Sequence, residues 1–370
     1  MRHTIKWSFA AVVVAAAGLL GMVGAASAAQ PKSLMVCSSG CQFTTIAAAL
    51  NAAPSGSKIT VGPGTYGGGF VIDKKLNLVG AGADQTTISG GGMVVTVASG
   101  VSTTIRAATI TGGHPDWSAG TPGGGILNNG VLTLRDSAIA NNSTLDDGGG
   151  IYNNDNLTLI RTVVRNNTTG GSYNRGGGLY NRGKVVLNHS SVEENWGFIG
   201  GGIYNAGGTA TVTNSSVSGN GGCAGPGILN ETGTMVIKGS TLSNNTGFDD
   251  GKCGVGGAIA NYDNLTVVKS TISNNRAPRG GGLYNRGTLM LTSSSVEGNT
   301  GNYGGSFPNN SGGGIFNAGQ LTLRATFITN NTRLPGGDGD GGGIFNTDPG
   351  TVTIHGGAIT GNTPNDCVGC

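Results

Sequence analysis

The residues that could do chemistry recur at one place in this sequence, between an asparagine and the glycine triplet that follows it. Read in order, these stretches carry His114-Pro115-Asp116-Trp117, Asp146-Asp147, Tyr173 with Arg175, Trp196 with Phe198, Phe248-Asp249-Asp250, Arg279, Tyr303 with Phe307, and Asp338 with Asp340. Flat aromatic rings suit the C–H faces of sugars, and carboxylates and guanidinium groups suit their hydroxyls. The expected partner is therefore a polysaccharide or cell-surface glycan, bound by His114, Asp116, Trp117, Tyr173, Trp196, Phe198, Phe248 and Tyr303. Asp146, Asp147, Arg175, Asp249, Asp250 and Arg279 are the candidates for catalysis. The paired aspartates could act as acid and base or hold Ca²⁺. No cofactor is required by this reading, and calcium is the one ion the carboxylates admit. The competing structural account is that Asp147 pairs with Arg175 and Asp250 with Arg279 across adjacent coils, while the aromatics cover coil edges. Gly336 to Gly341 loosely matches a calcium-binding nonapeptide, but one imperfect copy reads better as a turn.

The elements that must position these residues are repeats. A glycine triplet followed by Ile126-Leu127-Asn128 returns at Ile151, Leu179, Ile203, Ile228, Ile259, Leu283, Ile315 and Ile344, nine copies spaced 24 to 32 residues apart. Each continues into an alternating strand such as Leu132-Thr133-Leu134 or Leu157-Thr158-Leu159, then a third apolar point such as Ile139 or Val164, and closes on asparagine (Asn142, Asn167, Asn195, Asn220, Asn245, Asn275, Asn299, Asn331, Asn362). Period-two alternation is that of a strand with one buried face. One coil cannot bury three apolar points alone, but stacked coils pair at about 4.8 Å and share a core. A leucine-rich repeat is excluded, because its asparagine follows the Leu-x-Leu strand closely and here it trails by about eight positions. The Ile-x-Asn asparagines should stack as an internal ladder, each amide bonding the turn backbone and its neighbours. Tyr152, Tyr180, Tyr204, Tyr284, Phe316 and Phe345 follow inward residues, so they should face outward, as a structural stack or an extension of a glycan platform.

These residues resemble the right-handed parallel β-helix families of the pectate-lyase-like superfamily. The Gly-Gly-Gly-Ile-Tyr-Asn and Ile-x-x-Asn pattern is also similar to the repeats of polymorphic outer-membrane and adhesin-like β-helix proteins. The resemblance covers about residues 42 to 363. It implies an all-β chain, a single right-handed parallel β-helix with three short strands per coil and a short N-terminal cap helix. Lyases of this superfamily use calcium-binding carboxylates and an Arg or Lys base, and its hydrolases use paired aspartates with Gly-His-Gly and Arg-Ile-Lys. Neither hydrolase motif is present, nor the lyase run Trp-Ile-Asp-His with a later Arg-x-Pro. The expected function is thus binding of polysaccharide along the loop ridge. Lyase or glycoside hydrolase activity is the alternative, and an adhesin or envelope scaffold is the second.

Arg2, His3 and Lys6, the apolar run from Phe9 to about Gly24 and Ala26-Ser27-Ala28 read as a secretory signal peptide over 1–28. Residues 29–370 form one domain: an N-terminal cap over 29–58, in which Phe43 to Leu50 reads as an amphipathic helix, opening coils over 59–122, nine glycine-rich coils over 123–363 and a tail over 364–370. The mature chain carries 19 basic and 18 acidic residues, a net charge of +1, which does not fit a nucleic-acid binder. No membrane span is expected, and the protein should be exported and monomeric. Its six cysteines form local pairs, Cys37 with Cys41, Cys223 with Cys253 and Cys367 with Cys370, read as disulfides of an oxidising compartment. The four coils from Ile151 match the four from Ile259 in order, with Arg175-Gly-Gly-Gly-Leu-Tyr-Asn-Arg182 repeated as Arg279-Gly-Gly-Gly-Leu-Tyr-Asn-Arg286, which indicates a duplicated block. Outward threonines (Thr133, Thr158, Thr266, Thr322) suggest ice binding, but Val186 and Met290 break the row.

Overall fold

The computed structural model describes residues 30–115, 120–171, 173–248, 254–301, 311–334 and 341–370. The signal segment, Asp116, Trp117, Asp249, Asp250, Cys253, Tyr303, Phe307, Asp338 and Asp340 lie outside the described residues.

The short alternating segments form one 33-stranded sheet in which the chain winds as a parallel β-helix with three faces. The first face runs from Phe70–Ile72 and Val95–Val97 through Ile126–Asn128 and each later Ile-x-Asn triplet to Ile344–Asn346. The second begins at Ser33–Val36, ahead of the helix, and passes through Ser57–Val61, Leu76–Val79, Ser102–Arg106 and Val131–Arg135 to Thr351–Thr360. The third stacks Gly64–Gly67, Thr86–Ser89, Thr109–Thr111, Ala138–Ala140 and their successors. Alternate residues of the strands point inward, so Ile126, Leu132, Leu134 and Ile139 are fully buried, and the later coils repeat them in register until the last, where Ile354 is exposed. The helix Ile46–Ala52 closes the N-terminal end of this core with Ile46, Ala49 and Leu50, and Thr45 caps it by accepting the Ala48 N–H at 3.2 Å.

The expected Ile-x-Asn ladder is present. From Asn128 to Asn346 each Nδ2 donates to the next coil's Oδ1 at 2.7–2.9 Å. It starts only where the glycine-rich coils start, since Ile72 and Val97 occupy its position in the opening coils. The closing asparagines form a second ladder. Asn195 accepts the backbone N–H and Nδ2 of Asn167, each at 3.0 Å, and donates to Asn220 Oδ1 at 3.0 Å and Val164 O at 2.9 Å. This ladder ends on Asp366, whose Oδ1 accepts both the N–H and Nδ2 of Asn362; the N–H and the amide together hold its carboxyl below the usual range.

A third ladder was not legible in the sequence. The turn between the second and third strands includes one residue with positive φ, and Asp136 (49°), Arg161 (46°) and His189 (50°) occupy it, although glycine and asparagine adopt that conformation most readily. Such a conformation costs about 1–3 kcal/mol in a non-glycine residue. The following hydroxyl holds it in place: Ser190 Oγ donates to Asn188 O and accepts the Thr162 N–H, and Ser215 and Ser240 repeat the pattern. Stacking therefore relaxes the demand for glycine at this corner.

Disulfides join Cys37 to Cys41 (Cα–Cα 5.6 Å) and Cys367 to Cys370 (6.1 Å). Cys223 is buried and disulfide-bonded, and its expected partner lies outside the described residues. Among the described residues no helix is long and apolar enough to cross a membrane.

Candidate functional site

The segments between the closing asparagines and the glycine triplets are stitched to one another. Just past each asparagine, Ser143–Thr144 pairs with Thr168–Thr169, and the line continues through Trp196, Gly221, Thr246, Arg276, Thr300 and Thr332. A second line, nearer the glycines, runs Arg175, Ile199, Ala224, Val255, Arg279. Side chains between these lines thus stand in fixed rows along the axis of the β-helix.

Four candidate aromatics meet there. Trp196 and Phe248 lie parallel, with centroids 6.3 Å apart and planes within 5°, and Phe198 packs edge-on to Phe248 at 6.1 Å and to Tyr173 at 5.6 Å. Trp196 remains 40% exposed and Tyr173 75% exposed, so the cluster presents ring faces to solvent. Gly221, beside Trp196, leaves room for the indole: a Cβ at this position would stand 3.0 Å from Trp196 Cδ1.

The row that includes Tyr152, Tyr180 and Tyr204 is arranged otherwise than an open platform requires. Its rings face away from the core and stack at 4.7 Å (Tyr152–Tyr180), 5.2 Å (Tyr180–Tyr204), 5.0 Å (Tyr284–Phe316) and 5.7 Å (Phe316–Phe345). Yet the row is 3–8% exposed at these positions, because Ile199, Ala224 and Val255 of the stitched segments roof it over into a second apolar cluster. No flat ligand can lie on it. Burial raises the hydroxyl pKa values of Tyr180, Tyr204 and Tyr284, and that of Tyr262 to about 12, so these groups stay protonated donors at neutral pH.

Asp147 and Arg175 lie at the edge of this row. Asp147 Oδ1 accepts the Arg175 backbone N–H at 2.8 Å, and its own N–H donates to Asp146 Oδ1 at 2.8 Å. The Asp147–Arg175 contact is thus made through the backbone. The guanidinium instead stands 5.4 Å over the Tyr204 ring, with Tyr180 beside it. Burial raises the Asp147 carboxyl pKa, and the Arg175 N–H only partly offsets this. Arg182, which sequence reasoning noted in the duplicated block without assigning it a role, reaches Tyr152 Oη with Nη1 at 3.4 Å. The signal for it was the Tyr180-Asn181-Arg182 spacing, which sets an arginine two residues past the row's tyrosine, within reach of Tyr152 on the preceding coil. Arg279 holds the position of Arg175 in the second block, beside Tyr284. His114 stands one coil before this cluster, with Nδ1 2.6 Å from Ser143 Oγ. Among the described residues no group of three or more His, Cys, Asp or Glu converges as a metal site. A shallow groove of about 600 Å³ lies elsewhere, along the corner at Arg161, His189 and Ser216. Arg161 is committed there to a bidentate pair with Asp136 and the His189 Nδ1 contacts Asn188 Oδ1 at 2.8 Å; the rest of the lining is mostly hydroxyls with Val163 and the Asn214 amide, and no reaction is assigned to it.

No protein-family profile matches the chain, and no curated protein matches it. Among solved structures, it is similar to the A-module of mannuronan C-5 epimerase AlgE4 of Azotobacter vinelandii, with 15% identity, 86% of this chain and 93% of that one covered, and a TM-score of 0.52. Pectate lyase Pel9A gives 14% identity, 73% and 76% coverage and 0.47. The catalytic domain of a GH87 α-1,3-glucanase gives 14%, 90% and 69%, and 0.44. At these identities the likeness is one of fold: the chain shares a parallel β-helix with the epimerase module.

Proposed function

We propose that this protein binds an extended polysaccharide along its loop ridge, with Trp196, Tyr173, Phe198 and Phe248 as the stacking platform. The observation that carries this reading is the four-ring cluster itself, in which Tyr173 and Trp196 are exposed and Phe198 and Phe248 half-buried between them and the coil edge. Tyr173 and Trp196 offer faces to successive pyranose rings, and Arg175 and Asp146 offer polar partners for their hydroxyls. Disulfides support export to an oxidising compartment, where such polymers occur. Affinity electrophoresis of the purified protein in alginate, polygalacturonate, xylan and laminarin gels tests it. Retardation in at least one gel, abolished in W196A/Y173A, is the expected result, and unimpeded migration in all four sinks the reading.

The raised Asp147 carboxyl beside Arg175 and protonated phenols supports a second reading, cleavage of the bound chain with Asp147 as proton acceptor. Ultraviolet absorbance of unsaturated products and release of reducing ends, measured with and without Ca²⁺, decide it. Turnover that D147N abolishes makes the protein an enzyme, whereas silence in both assays leaves a binding scaffold.

A further inference from the structure

On the second face, away from the ridge, Lys58, Arg106 and Arg135 converge on a concavity of about 370 Å³ completed by Asn77, Val79 and Thr104. Arg106 and Arg135 are direct partners on adjacent parallel strands. Like charges in that position repel. The next coil carries Ile160 in the same row and the preceding one Val79, so the pair is confined to the junction of the last opening coil and the first glycine-rich coil. None of the three cations forms an ion pair among the described residues, and no carboxylate lines the concavity. Asp136, which Arg135 and Arg106 influence through space, has both oxygens taken by Arg161 at 2.6 and 3.0 Å and does not line the concavity. In a chain with only 11% charged residues, three cations with no acid among them are a concentration of charge that the fold does not require.

We propose that this concavity is an anion subsite for a polyanionic polysaccharide, in which the two guanidinium groups clamp a sulfate or carboxylate. Guanidinium matches such groups bidentately, and the Asn77 amide and Thr104 hydroxyl meet sugar hydroxyls beside it. Three cations are too few for a duplex, whose binders neutralise about six to ten phosphates. The site lies on a different face from the aromatic ridge and does not depend on it.

The test is binding of the whole exported protein to dextran sulfate, with neutral dextran, inorganic sulfate and duplex DNA as separate arms. Dextran sulfate should bind in a salt-sensitive manner and neutral dextran should not. R106Q/R135Q should lose at least tenfold in affinity, while K238Q/R324Q, which removes two cations from the same row of later coils, should stay within twofold. Thermal unfolding provides a control for folding: R106Q/R135Q should melt no lower than wild type, and dextran sulfate should raise the midpoint of wild type only. W196A/Y173A should keep this binding, so failure of the ridge and failure of the subsite read out separately. Equal losses in both double variants, inorganic sulfate binding as tightly as the polymer per sulfate, duplex DNA binding as tightly as dextran sulfate, or no binding of dextran sulfate would each overturn the assignment.

Discussion

The coils from Ile151, Leu179, Ile203 and Ile228 and those from Ile259, Leu283, Ile315 and Ile344 are two copies of one block, and their interiors and exteriors have diverged to different degrees. Inside, every ladder asparagine has its counterpart: Asn153, Asn181, Asn205 and Asn230 against Asn261, Asn285, Asn317 and Asn346, all bonded in one continuous column. Outside, Tyr152 becomes Ala260, Tyr204 becomes Phe316, Tyr173 becomes Ala277 and Trp196 becomes Thr300. An interior amide is shared with the coils on either side, so changing it strands buried polar groups in both neighbours. An outward ring answers only to its roof or to a ligand. The first block, which carries Tyr173, Trp196 and Phe198, Arg175 over Tyr204 and the hydroxyls of Tyr152 and Tyr204, is therefore the half in which the proposed binding site lies.

The largest expected effect tests the equality of the interiors. Asn195→Ala removes an acceptor used by two donors of Asn167 and a donor to Val164 and Asn220, and Asn299→Ala does the same one block later. Each should cost about 2–5 kcal/mol in urea unfolding, at roughly 1–3 kcal/mol per stranded group with partial relaxation. A difference beyond about 1.5 kcal/mol between them would show that the blocks are not equivalent inside. The next effect tests the inequality outside. Trp196→Ala should weaken polysaccharide binding tenfold or more, about 1.4 kcal/mol, while Thr300→Ala should stay within twofold by titration calorimetry. Equal losses would remove the functional distinction between the halves. Gly221→Ala sharpens the same point more gently. Its methyl must displace the indole by a few tenths of an ångström, so affinity should fall severalfold with the unfolding midpoint nearly unchanged. A loss of stability matching the loss of binding would make Trp196 a packing residue.

The smallest expected effect is on pH dependence, and its sign differs between two carboxylates. Asp147 is raised in the folded state, so its contribution to stability is full below the unfolded carboxyl pKa and is lost as pH rises through the folded one. Asp366 is lowered, so its contribution is present above the unfolded pKa and is lost as pH falls through the folded one. D147N and D366N should accordingly alter the acid limb of the stability–pH curve in opposite directions, and a shared direction would contradict one of the two environments.

The sequence alone determined the coil, the three strands and the Ile-x-Asn column, because period-two alternation and a repeat of 24 to 32 residues leave stacking as the one way to bury three apolar points per turn. It also placed Tyr173, Trp196, Phe198 and Phe248 on one side, since variable-length segments of a solenoid map to a single face. Only the tertiary structure decided which of these rings touch, because the side-chain path of each loop depends on the loop above it. Stacking alone showed that the closing asparagines and the corner hydroxyls also form columns: one coil contains a single Asn195 or Ser190, and its column partners lie 25 to 28 residues away. The burial of the tyrosine row was likewise invisible to alternation, which separates inward from outward residues but contains no information about what another coil's loop lays over the outward face.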